Sequence, residues 1–302
     1  MNEKLITIIG STNTDMVVKT SKFPLPGETI LGGKFLMNSG GKGANQAVAA
    51  RRLGGHVAFV GKTGNDIFGK QAVEYLKAEG INTEYILIDE QCPSGVALIT
   101  VDNKGENSIV VAPGANGALV PGDIEHINEI LKDSSIVLLQ LEIPVETVVY
   151  VARRSIELKK RVILNPAPAQ GLPDSLLEGL YLITPNETEA AQLTGIEVRD
   201  MESACKAAET LVAKGVQNVI VTMGAVGAYV LSSEYTGLVE APQVKAVDTT
   251  AAGDTFNGAL AVFLSEGKKI EDATRLACVA ASVSVTRIGA QTSVPYREEI
   301  NE

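Results

Sequence analysis

The sequence has few cysteines and no concentrated block of basic residues. Its three cysteines, Cys92, Cys205 and Cys278, are far apart, odd in number and without the spacing of metal ligands. This pattern argues against a disulfide framework and favours free thiols in a reducing compartment. The formal net charge is −10, and without a Lys/Arg cluster nonspecific binding to nucleic acid is disfavoured. Any phosphate that the protein binds must therefore be met by a local site.

Long apolar runs and linkers are also missing. No run approaches the roughly 18 apolar residues of a membrane span, and the apolar stretch at the start is too short for a signal-peptide core. We therefore expect a cytoplasmic protein with no membrane partner. There is no internal repeat, low-complexity stretch or Pro/Gly-rich linker, so nothing splits the chain cleanly into domains.

Short apolar, β-branched runs recur along the chain and alternate with helical stretches. The runs are LITIIG, VAFVGKTG, SIVLLQLE, RVILNPAPA, LYLITPNE and NVIVTMGAVG. Continuous apolar runs fit strands buried on both faces, and stretches such as ANQAVAARRLG and MESACKAAETLVAKG have helical character. We expect an α/β fold in which a mostly parallel sheet carries helices on both faces. Its ligands should bind beyond the carboxyl ends of the strands.

Several of these predicted strands run into polar or glycine residues. The residues that follow them are Asn13 and Asp15, Glu142, Asn165, Asn186 and Glu189, and Gly224 and Gly227. Each alone fits an ordinary loop, but together they favour one shared site along that edge.

Two further segments lack a helical period. The segments are GETILGGKFLMNS and SGVALITVDNKGENSIVVAPG, and the second predicts a hairpin around DNKGEN. We expect a small accessory sheet here. It is either an extension of the main sheet or a lid that excludes water, which a phosphoryl-transfer enzyme needs to protect its donor from hydrolysis.

Two familiar nucleotide-binding patterns fail on inspection. The stretch GKT at 61–63 lacks the first glycine of a P-loop, because His56 stands in its place. The stretch GGKGANQ lacks the third glycine of the dinucleotide fingerprint, because Gln46 stands there. The sequence therefore supports neither a P-loop enzyme nor a nucleotide-dependent dehydrogenase.

Two segments of small residues each lead into a predicted helix. In NSGGKGANQ, the glycines let the backbone approach a ligand closely while the helix start points free N–H groups at it. In VDTTAAGDTF, the backbone of 251–253 can form an anion nest, and Asp254 enters the first turn. Asp254 is either a favourable charge at the positive helix end or a base that takes a proton from an attacking hydroxyl.

The stretches GGKGANQAVAARRLGG and DTTAAGDTFNGAL are similar to the two signatures of the ribokinase-like (PfkB-type) carbohydrate kinases. GSTNTD, FPLPGET, QLEIP, LNPAPA, TPNETEA and TRIGAQTSVPYREEI extend this resemblance over nearly the whole chain. The resemblance implies a single three-layer α/β/α domain, 1–302, with a small β-sheet lid from about 14–39 and 92–114. It also implies ATP-dependent phosphorylation of D-ribose at its 5-hydroxyl, and a homodimer formed through the lid.

The resemblance further implies roles for individual positions. Asp254 would be the general base, and the backbone of Ala251, Ala252 and Gly253 would be the anion hole for the transferring phosphoryl group. The sugar would be bound by Asn13, Asp15, Gly41, Lys42, Asn45, Glu142 and Asp254. ATP would lie against Asn186, Thr222, Gly224, Gly227, Gly253 and Cys278. A thiol at Cys278 offers adenine only weak hydrogen bonding.

Mg²⁺ and a monovalent cation, usually K⁺ in this family, complete the implied site. The K⁺ ion would be held by Asp248, Thr250, Ser284, Arg287, Gly289 and Ser293, mostly through backbone carbonyls. Glu189 would bind Mg²⁺ through water, and a solvent-exposed helix charge is an equal alternative for it.

The stretch TPNETEA predicts how the helix that carries Glu189 begins. Thr184 and Glu187 fit a capping box with Pro185 as the first helical residue. That arrangement would leave Asn186 and Glu189 free for ATP phosphates and the water shell of Mg²⁺.

Two other functions stay open at this point. One is a related kinase for another sugar or a nucleoside, which the set Asn13, Asp15, Asn45 and Glu142 would decide. The other is a non-catalytic sugar sensor with the same fold. Retention of Asp254 beside its predicted anion nest argues against the sensor.

Overall fold

The strands of the protein form two separate sheets in the computed structural model, which describes residues 4–300. Both ends of the predicted domain, 1–3 and 301–302, lie outside the described residues. The strands are β1 (Leu5–Ile9), β2 (Asn13–Lys19), β3 (Lys34–Gly40), β4 (His56–Gly64), β5 (Asn82–Asp89), β6 (Gly95–Val101), β7 (Asn107–Ala112), β8 (Ser134–Leu139), β9 (Arg161–Leu164), β10 (Leu182–Ile183), β11 (Val219–Thr222), β12 (Gly227–Leu231) and β13 (Thr236–Glu240).

Helices cover both faces of the larger sheet. They are α1 (Lys42–Arg52), α2 (Ile67–Ala78), α3 (Asn128–Asp133), α4 (Val145–Glu157), α5 (Asp174–Leu177), α6 (Glu187–Thr194), α7 (Met201–Ala213), α8 (Ala252–Glu266) and α9 (Ile270–Ser284). The two helical stretches named in the sequence analysis correspond to α1 and α7. None of the helices within residues 4–300 has the length and apolar character that crossing a bilayer requires.

The larger sheet has the strand order β13-β12-β11-β10-β9-β8-β1-β4-β5. From β11 to β5 neighbouring strands are parallel, while β12 and β13 form an antiparallel edge. Along β1, Ile8 packs into one core with α1, α8 and α9, while Ile9 packs into a second core with α4 and α7 on the other face. The strands are thus buried on both sides, which explains their unbroken apolar runs. The predicted three-layer, mostly parallel α/β fold is confirmed.

The smaller sheet has the strand order β3-β2-β6-β7. The predicted hairpin is β6 and β7, which pair antiparallel from Val96↔Ala112 to Val101↔Asn107. Asn13 and Asp15 lie in β2 of this sheet, because the first strand of the larger sheet already ends at Ile9. Since alternate residues of a strand face the same side, Asn13 and Asp15 point the same way.

The predicted start of α6 is wrong. Thr184 and Pro185 still belong to the sheet region, because the amide of Thr184 donates to Leu164 O and that of Thr222 donates to Pro185 O. The helix therefore begins two residues later, with Asn186 as its N-cap, and the capping box consists of Asn186 and Glu189. Both TPNE, from Thr184, and NETE, from Asn186, have a capping residue three positions before Glu. Pairing with the neighbouring strands keeps Thr184 and Pro185 extended, so the cap is Asn186.

Candidate active site

Two adjoining cavities lie beyond the carboxyl ends of the central strands. The first has a volume of about 340 Å³ and the second about 210 Å³. They share a wall made of Asn186, Thr222, Thr249, Ala252 and Gly253. A ligand can therefore extend from one cavity into the other past the start of α8.

The larger cavity contains every residue predicted to contact ATP. Asn186, Thr222, Gly224, Gly227, Gly253 and Cys278 all line it. Most of its remaining lining is apolar, including Pro242, Val244 and Val285. Burial raises the pKa of the Cys278 thiol to about 12, so this side chain stays neutral against whatever occupies the cavity. A flat apolar ring with a polar tail suits such a cavity.

The smaller cavity combines charged groups with the start of α8. Its lining includes Lys42, Glu189, Asn165, Gly253 and Asp254. Lys42 comes from the start of α1 and Glu189 from α6, so three helices meet there. One lysine and two carboxylates beside a positive helix end form a site for an anion and a proton donor.

The start of α8 has an unusual backbone conformation. Ala251 is its N-cap and adopts φ 58°, ψ 16°, the left-handed region that residues with a side chain rarely occupy. Such strain persists where the surrounding structure enforces it, and it is common at functional sites. The amide of Ala252 donates to Thr249 O at 3.2 Å. Within residues 4–300 the amides of Ala251 and Gly253 donate to no protein acceptor, so they can bind an anion.

Asp254 lies in the first turn of α8 and is 5% exposed. Its Oδ2 accepts a hydrogen bond from Asn45 Nδ2 at 2.9 Å, and its Oδ1 accepts one from Gln46 Nε2 at 3.0 Å. Burial raises its pKa, while Lys42 and the two amides act in the opposite direction. The carboxyl group is therefore a stronger base than an exposed aspartate, which is what general-base catalysis near neutral pH requires.

Glu142 and Lys42 meet where α1 begins. Glu142 Oε2 accepts hydrogen bonds from Ser11 Oγ at 2.5 Å and from the Lys42 amide at 2.9 Å. Burial alone would lower the pKa of Lys42, but attraction to Asp254, Glu142 and Glu189 outweighs it and the pKa is raised. The preceding Gly41 has φ 89° and its backbone abuts Thr12 and Asn13, where a side chain would overlap.

Asn13 and Asp15 approach this group from the small sheet. Asn13 Oδ1 accepts a hydrogen bond from Asn116 Nδ2 at 2.8 Å, which fixes the orientation of the Asn13 side chain. Burial, with repulsion from Glu142 and Asp254, raises the pKa of Asp15 to about 7. Any side chain at Gly40 would overlap the Asp15 carboxylate. All seven predicted sugar-binding residues thus belong to one region around Lys42 and Asp254.

Asn186 and Glu189 are bonded to each other rather than free. Glu189 Oε2 accepts from the Asn186 amide and Oε1 from Asn186 Nδ2, both at 3.0 Å, while Asn186 Oδ1 accepts from the Glu189 amide at 2.8 Å. Glu189 is only 7% exposed, so it is not a solvent-exposed helix charge. Burial raises its pKa, although the Asn186 amide and Lys42 oppose this.

The residues predicted to bind a monovalent cation lie in two segments around α8 and α9. Asp248 Oδ1 accepts from the amide and hydroxyl of Thr250, and its Oδ2 accepts from the Gly289 amide at 2.9 Å. Burial alone would raise the pKa of Asp248, but these hydrogen bonds hold it below its usual value. The other predicted residues form local turns: the Arg287 amide donates to Ser284 O and the Ser293 amide to Ala290 O.

Several polar residues around the site were missed by the sequence analysis. They are Ser11, Gln46, Asn116, Gln140 and Gln291. Gln140 directly follows an apolar run and Gln46 lies inside the first signature, so position alone could have pointed to both. Gln291 and Asn116 reach the site from distant parts of the chain, with no local signal in the sequence.

A buried carboxylate at a helix start, backbone amides beside it and an adjoining, largely apolar cavity are features that phosphoryl transfer from a nucleotide can use. The family described as "pfkB family carbohydrate kinase" matches residues 3–297. The chain belongs to this family. Among the side chains that the structure describes, there is no group of three or more His, Cys, Asp or Glu that could hold a metal ion.

Named relatives agree with this membership. The chain is 44% identical to the ribokinase of Haemophilus influenzae over 299 residues, covering 99% of this chain and 98% of the relative. It is 41% identical to the deoxyribokinase of Salmonella typhi, covering 98% and 97%. The structure of Arabidopsis thaliana ribokinase complexed with ribose and ATP superimposes with a TM-score of 0.93 at 34% identity, covering 99% and 98%. This kinase therefore shares both its sequence and its fold with sugar kinases along nearly its whole length.

Proposed function

We propose that this carbohydrate kinase transfers the γ-phosphoryl group of ATP to the 5-hydroxyl of D-ribose. The observation that carries the proposal is the position of Asp254. Its buried carboxylate lies in the first turn of α8, in the same cavity as the open backbone of Gly253 and the side chain of Lys42. A base and an anion site only a residue apart suit transfer of a phosphoryl group to a hydroxyl.

The proton of the 5-hydroxyl would pass to Asp254 as the ribose oxygen bonds to the γ-phosphorus. The bond from that phosphorus to the β,γ-bridging oxygen breaks, and ADP leaves with the electron pair. Because the transition state for phosphoryl transfer is loose, the proton can transfer late, and positioning of the two reactants matters most. The raised pKa of Asp254 lets it accept that proton near neutral pH.

Negative charge on the transferring group would be met by the backbone of Ala251 to Gly253 and by Lys42. The helix start contributes partial positive charge there, and Lys42 remains charged because its pKa is raised. The sugar would be held by Asn13, Asp15, Gly41, Lys42, Asn45 and Glu142. Carboxylates and amides of this kind bond to adjacent hydroxyl groups and reject a sugar that lacks the matching one.

The donor set also suits the two cations. Glu189 presents one largely buried carboxylate to the cavity that holds Gly253, which fits Mg²⁺ bound to phosphates and water with few protein ligands. Asp248 is ionised and lies in a loop next to Gly289, which fits K⁺ held by one carboxylate and backbone carbonyls. Mg²⁺ would neutralise phosphate charge, and K⁺ would add positive charge near the anion site.

We also propose a cytoplasmic homodimer formed through the small sheet, which would act as the lid of the sugar site. The sheet carries Asn13 and Asp15 on one side. Its other side exposes apolar residues, including Phe35 at 60% and Leu98 at 52%, and a patch of this kind on a folded protein suits an interface. Three free cysteines suit a reducing compartment.

The test is a coupled assay of ADP formation with ATP and a panel of sugars. We expect turnover with D-ribose, and we expect Asp254→Asn to bind ribose and ATP while kcat falls by roughly 100-fold or more, since the base is lost. Isothermal titration of Asp254→Asn with ribose serves as the control for binding. No ADP formation with any sugar would leave a non-catalytic sugar sensor as the better explanation, and an unchanged kcat would remove Asp254 from the mechanism.

A second acceptor follows from the similarity to a deoxyribokinase at 41% identity. D-ribose and 2-deoxy-D-ribose differ by one hydroxyl, and a site that hydrogen-bonds that hydroxyl discriminates strongly against its absence. The sugar panel therefore includes both sugars, together with nucleosides. If kcat/KM is higher for 2-deoxy-D-ribose than for D-ribose, 2-deoxy-D-ribose is the preferred acceptor. The proposed roles of Asp254 and Gly253 would then stay the same.

The proposed K⁺ site gives a separate prediction. Asp248→Ala should weaken the increase in activity that KCl produces, because the substitution removes the one anionic ligand. Asp102→Ala is a matched control, since Asp102 also accepts from the amide two residues on but lies in the β6–β7 turn. An Asp248→Ala protein with an unaltered response to KCl would show that the cation binds elsewhere.

A further inference from the structure

We propose that Gln46, fixed in orientation by Gln140, is a positioning residue that aims the Asp254 carboxylate at the reacting hydroxyl. The inference rests on the proposed role of Asp254 as the base. Gln46 lies on α1 and Gln140 directly after β8, and both are fully buried. They form a chain of side-chain amides that ends on Asp254 Oδ1.

Each hydrogen bond of this chain has a defined direction. Gln46 Nε2 donates to Asp254 Oδ1 and to Asn165 Oδ1, both at 3.0 Å. Gln46 Oε1 in turn accepts from Gln140 Nε2 at 2.5 Å. Both N–H groups and the oxygen of the Gln46 amide are therefore occupied, which leaves the side chain no freedom to rotate.

The direction is imposed by the carboxylate. An ionised carboxylate only accepts hydrogen bonds, so the nitrogen of Gln46 must face Asp254 and its oxygen must face away. The Gln46 oxygen needs a donor, so Gln140 must direct its Nε2 toward Gln46 and its Oε1 away from Gln46. Reversing either glutamine would bring two oxygens together, which is unfavourable in a buried region.

The arrangement has an energetic cost, which is that the buried Oε1 of Gln140 has no hydrogen-bond donor among the described residues. Gln140 Oε1 accepts no hydrogen bond from any residue in the described range 4–300, and it lies against Gly10, where any side chain would overlap it. A buried amide with an unpaired oxygen is less favourable than an apolar side chain of the same shape. Its presence is explained by the nitrogen, which holds Gln46.

A second chain of amides holds the other carboxylate oxygen. Asn45 Nδ2 donates to Asp254 Oδ2, and Asn45 Oδ1 accepts from Gln291 Nε2 at 3.0 Å. The side-chain oxygen of Gln291, Oε1, also has no hydrogen-bond partner within residues 4–300. The backbone carbonyl of Gln291 accepts a hydrogen bond from Arg52 Nη1 at 2.7 Å. Because Asn45 is also proposed to bind the sugar, this second chain cannot separate positioning from substrate binding. The first chain can.

The charged groups that face Asp254 come from four directions. They are Lys42 of α1, Glu142 after β8, Asp15 of β2 and Glu189 of α6. Neither Gln46 nor Gln140 hydrogen-bonds to any of these four in the part of the chain that the structure describes. Gln46 does hydrogen-bond to the Asp254 carboxylate, and Gln140 bonds to Gln46, so we expect a pH effect shared by variants of both glutamines to act through Asp254.

The experiment measures kcat at saturating ribose and ATP from about pH 5 to about pH 9 for Gln46→Met and Gln140→Met. Met has a similar shape and no hydrogen-bonding amide. Gln46→Met loses a hydrogen bond to the ionised carboxylate, so the acidic limb of its profile should move up by about one pH unit or more. Gln140→Met frees Gln46 to turn away from Asp254, so its acidic limb should move in the same direction. The ribose KM should change little in either variant. Thr274→Val is the control, because it removes another fully buried hydrogen bond, from Thr274 Oγ1 to Ile270 O at 2.6 Å, in α9.

An acidic limb that stays in place in both variants would overturn the inference, whatever happens to their thermal stability. If either variant fails to fold, Gln46→Glu keeps the shape and the acceptor for Gln140. It places a second carboxyl beside Asp254, so its acidic limb should move up further than that of Gln46→Met. A limb unmoved by Gln46→Glu would also overturn the inference.

Failure of this inference is distinguishable from failure of the proposed function. If Asp254→Asn abolishes turnover while the glutamine variants keep the original limb, Asp254 is the base and the amides are only structural. If Asp254→Asn keeps its kcat, the proposed mechanism itself is wrong.

Discussion

At the scale of single residues, the proposed sugar site gathers three carboxylates around one lysine. Asp15, Glu142 and Asp254 repel one another, and Lys42 is the positive charge beside them. Repulsion and burial together raise the pKa of Asp15 to about 7, far above its ordinary value of 3.8. In the absence of a sugar, the folded protein therefore holds this carboxyl group in an unfavourable place whenever it is ionised.

Asp15→Asn should stabilise the protein at alkaline pH. A folded-state pKa above the unfolded value means that the folded protein binds the proton more tightly, so stability is lost as pH rises from about 4 to about 7. An amide does not ionise, so the variant avoids this loss. We expect a Tm at pH 8 higher than that of the unaltered protein by about 2 °C or more, and little difference at pH 4.

Differential scanning calorimetry at the two pH values measures this effect, and the ribose KM of the same variant should rise because a proposed sugar ligand is changed. Glu240→Gln, which changes an exposed carboxylate at the end of β13, serves as a control that should not change the pH dependence. A Tm of Asp15→Asn that falls at both pH values would contradict the raised pKa.

The sequence could predict residues whose role follows from a local pattern. Asp254 and Gly253 follow from a helix start after small residues, and Glu142 from a polar position after a buried strand. Gln291 could not be predicted in this way, because 246 positions separate it from Asn45, to which it bonds. Asn116 contacts Asn13 across 103 positions for the same reason.

At the scale of secondary-structure elements, α1 and α8 together fix the position of the proposed base, Asp254. Asn45 and Gln46 of α1 hold Asp254 of α8, and Gly258 lies one turn further along α8 on the same face. A Cβ at Gly258 would lie 2.6 Å from both Ala49 Cβ and Gln46 O. Only glycine allows the two helices to approach this closely.

Gly258→Ala should therefore push the two helices apart. Overpacking of this kind costs about 1–3 kcal/mol, and separating Asp254 from its amides should reduce kcat by roughly ten- to hundred-fold. Calorimetry and the coupled assay measure the two effects. Wild-type kcat in a folded Gly258→Ala protein would show that the site tolerates a wider helix separation.

Gly253→Ala is the matched variant within the same helix. A Cβ at Gly253 meets nothing within 4 Å, so its stability should change by less than about 0.5 kcal/mol. The added methyl would instead enter the wall that the two cavities share, and the KM for ATP should rise.

The start of α6 shows where local patterns become ambiguous. Both Thr184 and Asn186 fit an N-cap with Glu three residues later, and the predicted helix start used Thr184. The chain around 184–186 pairs with β9 and β11, and this pairing makes Asn186 the N-cap. Because the pairing is a tertiary contact, the local sequence does not reveal it. The roles of Asn186 and Glu189 changed accordingly, from free side chains to a pair that supports each other.

At the scale of the whole molecule, the fold was the most predictable feature. Runs buried on both faces require a parallel sheet covered by helices, and the observed sheet has the two cores that this requires. The antiparallel edge of β12 and β13 was not anticipated, because β12 begins within the same apolar and glycine-rich segment as the end of β11. Strand direction at an edge depends on turn geometry, which composition does not specify.

The two sides of the small sheet differ in chemistry, and this difference bears on how copies of the protein assemble. Met16, Met37, Leu98 and Val110 are paired across the four strands and share one side, while Asp15 faces the opposite side. Met37 is 46% exposed and Val110 is 64% exposed. An apolar surface on a continuous sheet can pair with the same surface of a second copy about a two-fold axis, which closes the assembly.

Met37→Lys should therefore convert a dimer to a monomer in sedimentation equilibrium, because it places a charge in the middle of the proposed interface. Met201→Lys is the matched control, since Met201 is also 46% exposed but lies on α7, away from the small sheet. The monomer should bind ribose more weakly, because β2 carries both the interface and the proposed sugar ligands. An unaltered protein that is already monomeric, or a Met37→Lys protein that remains dimeric, would show that the apolar side of this sheet is not the interface.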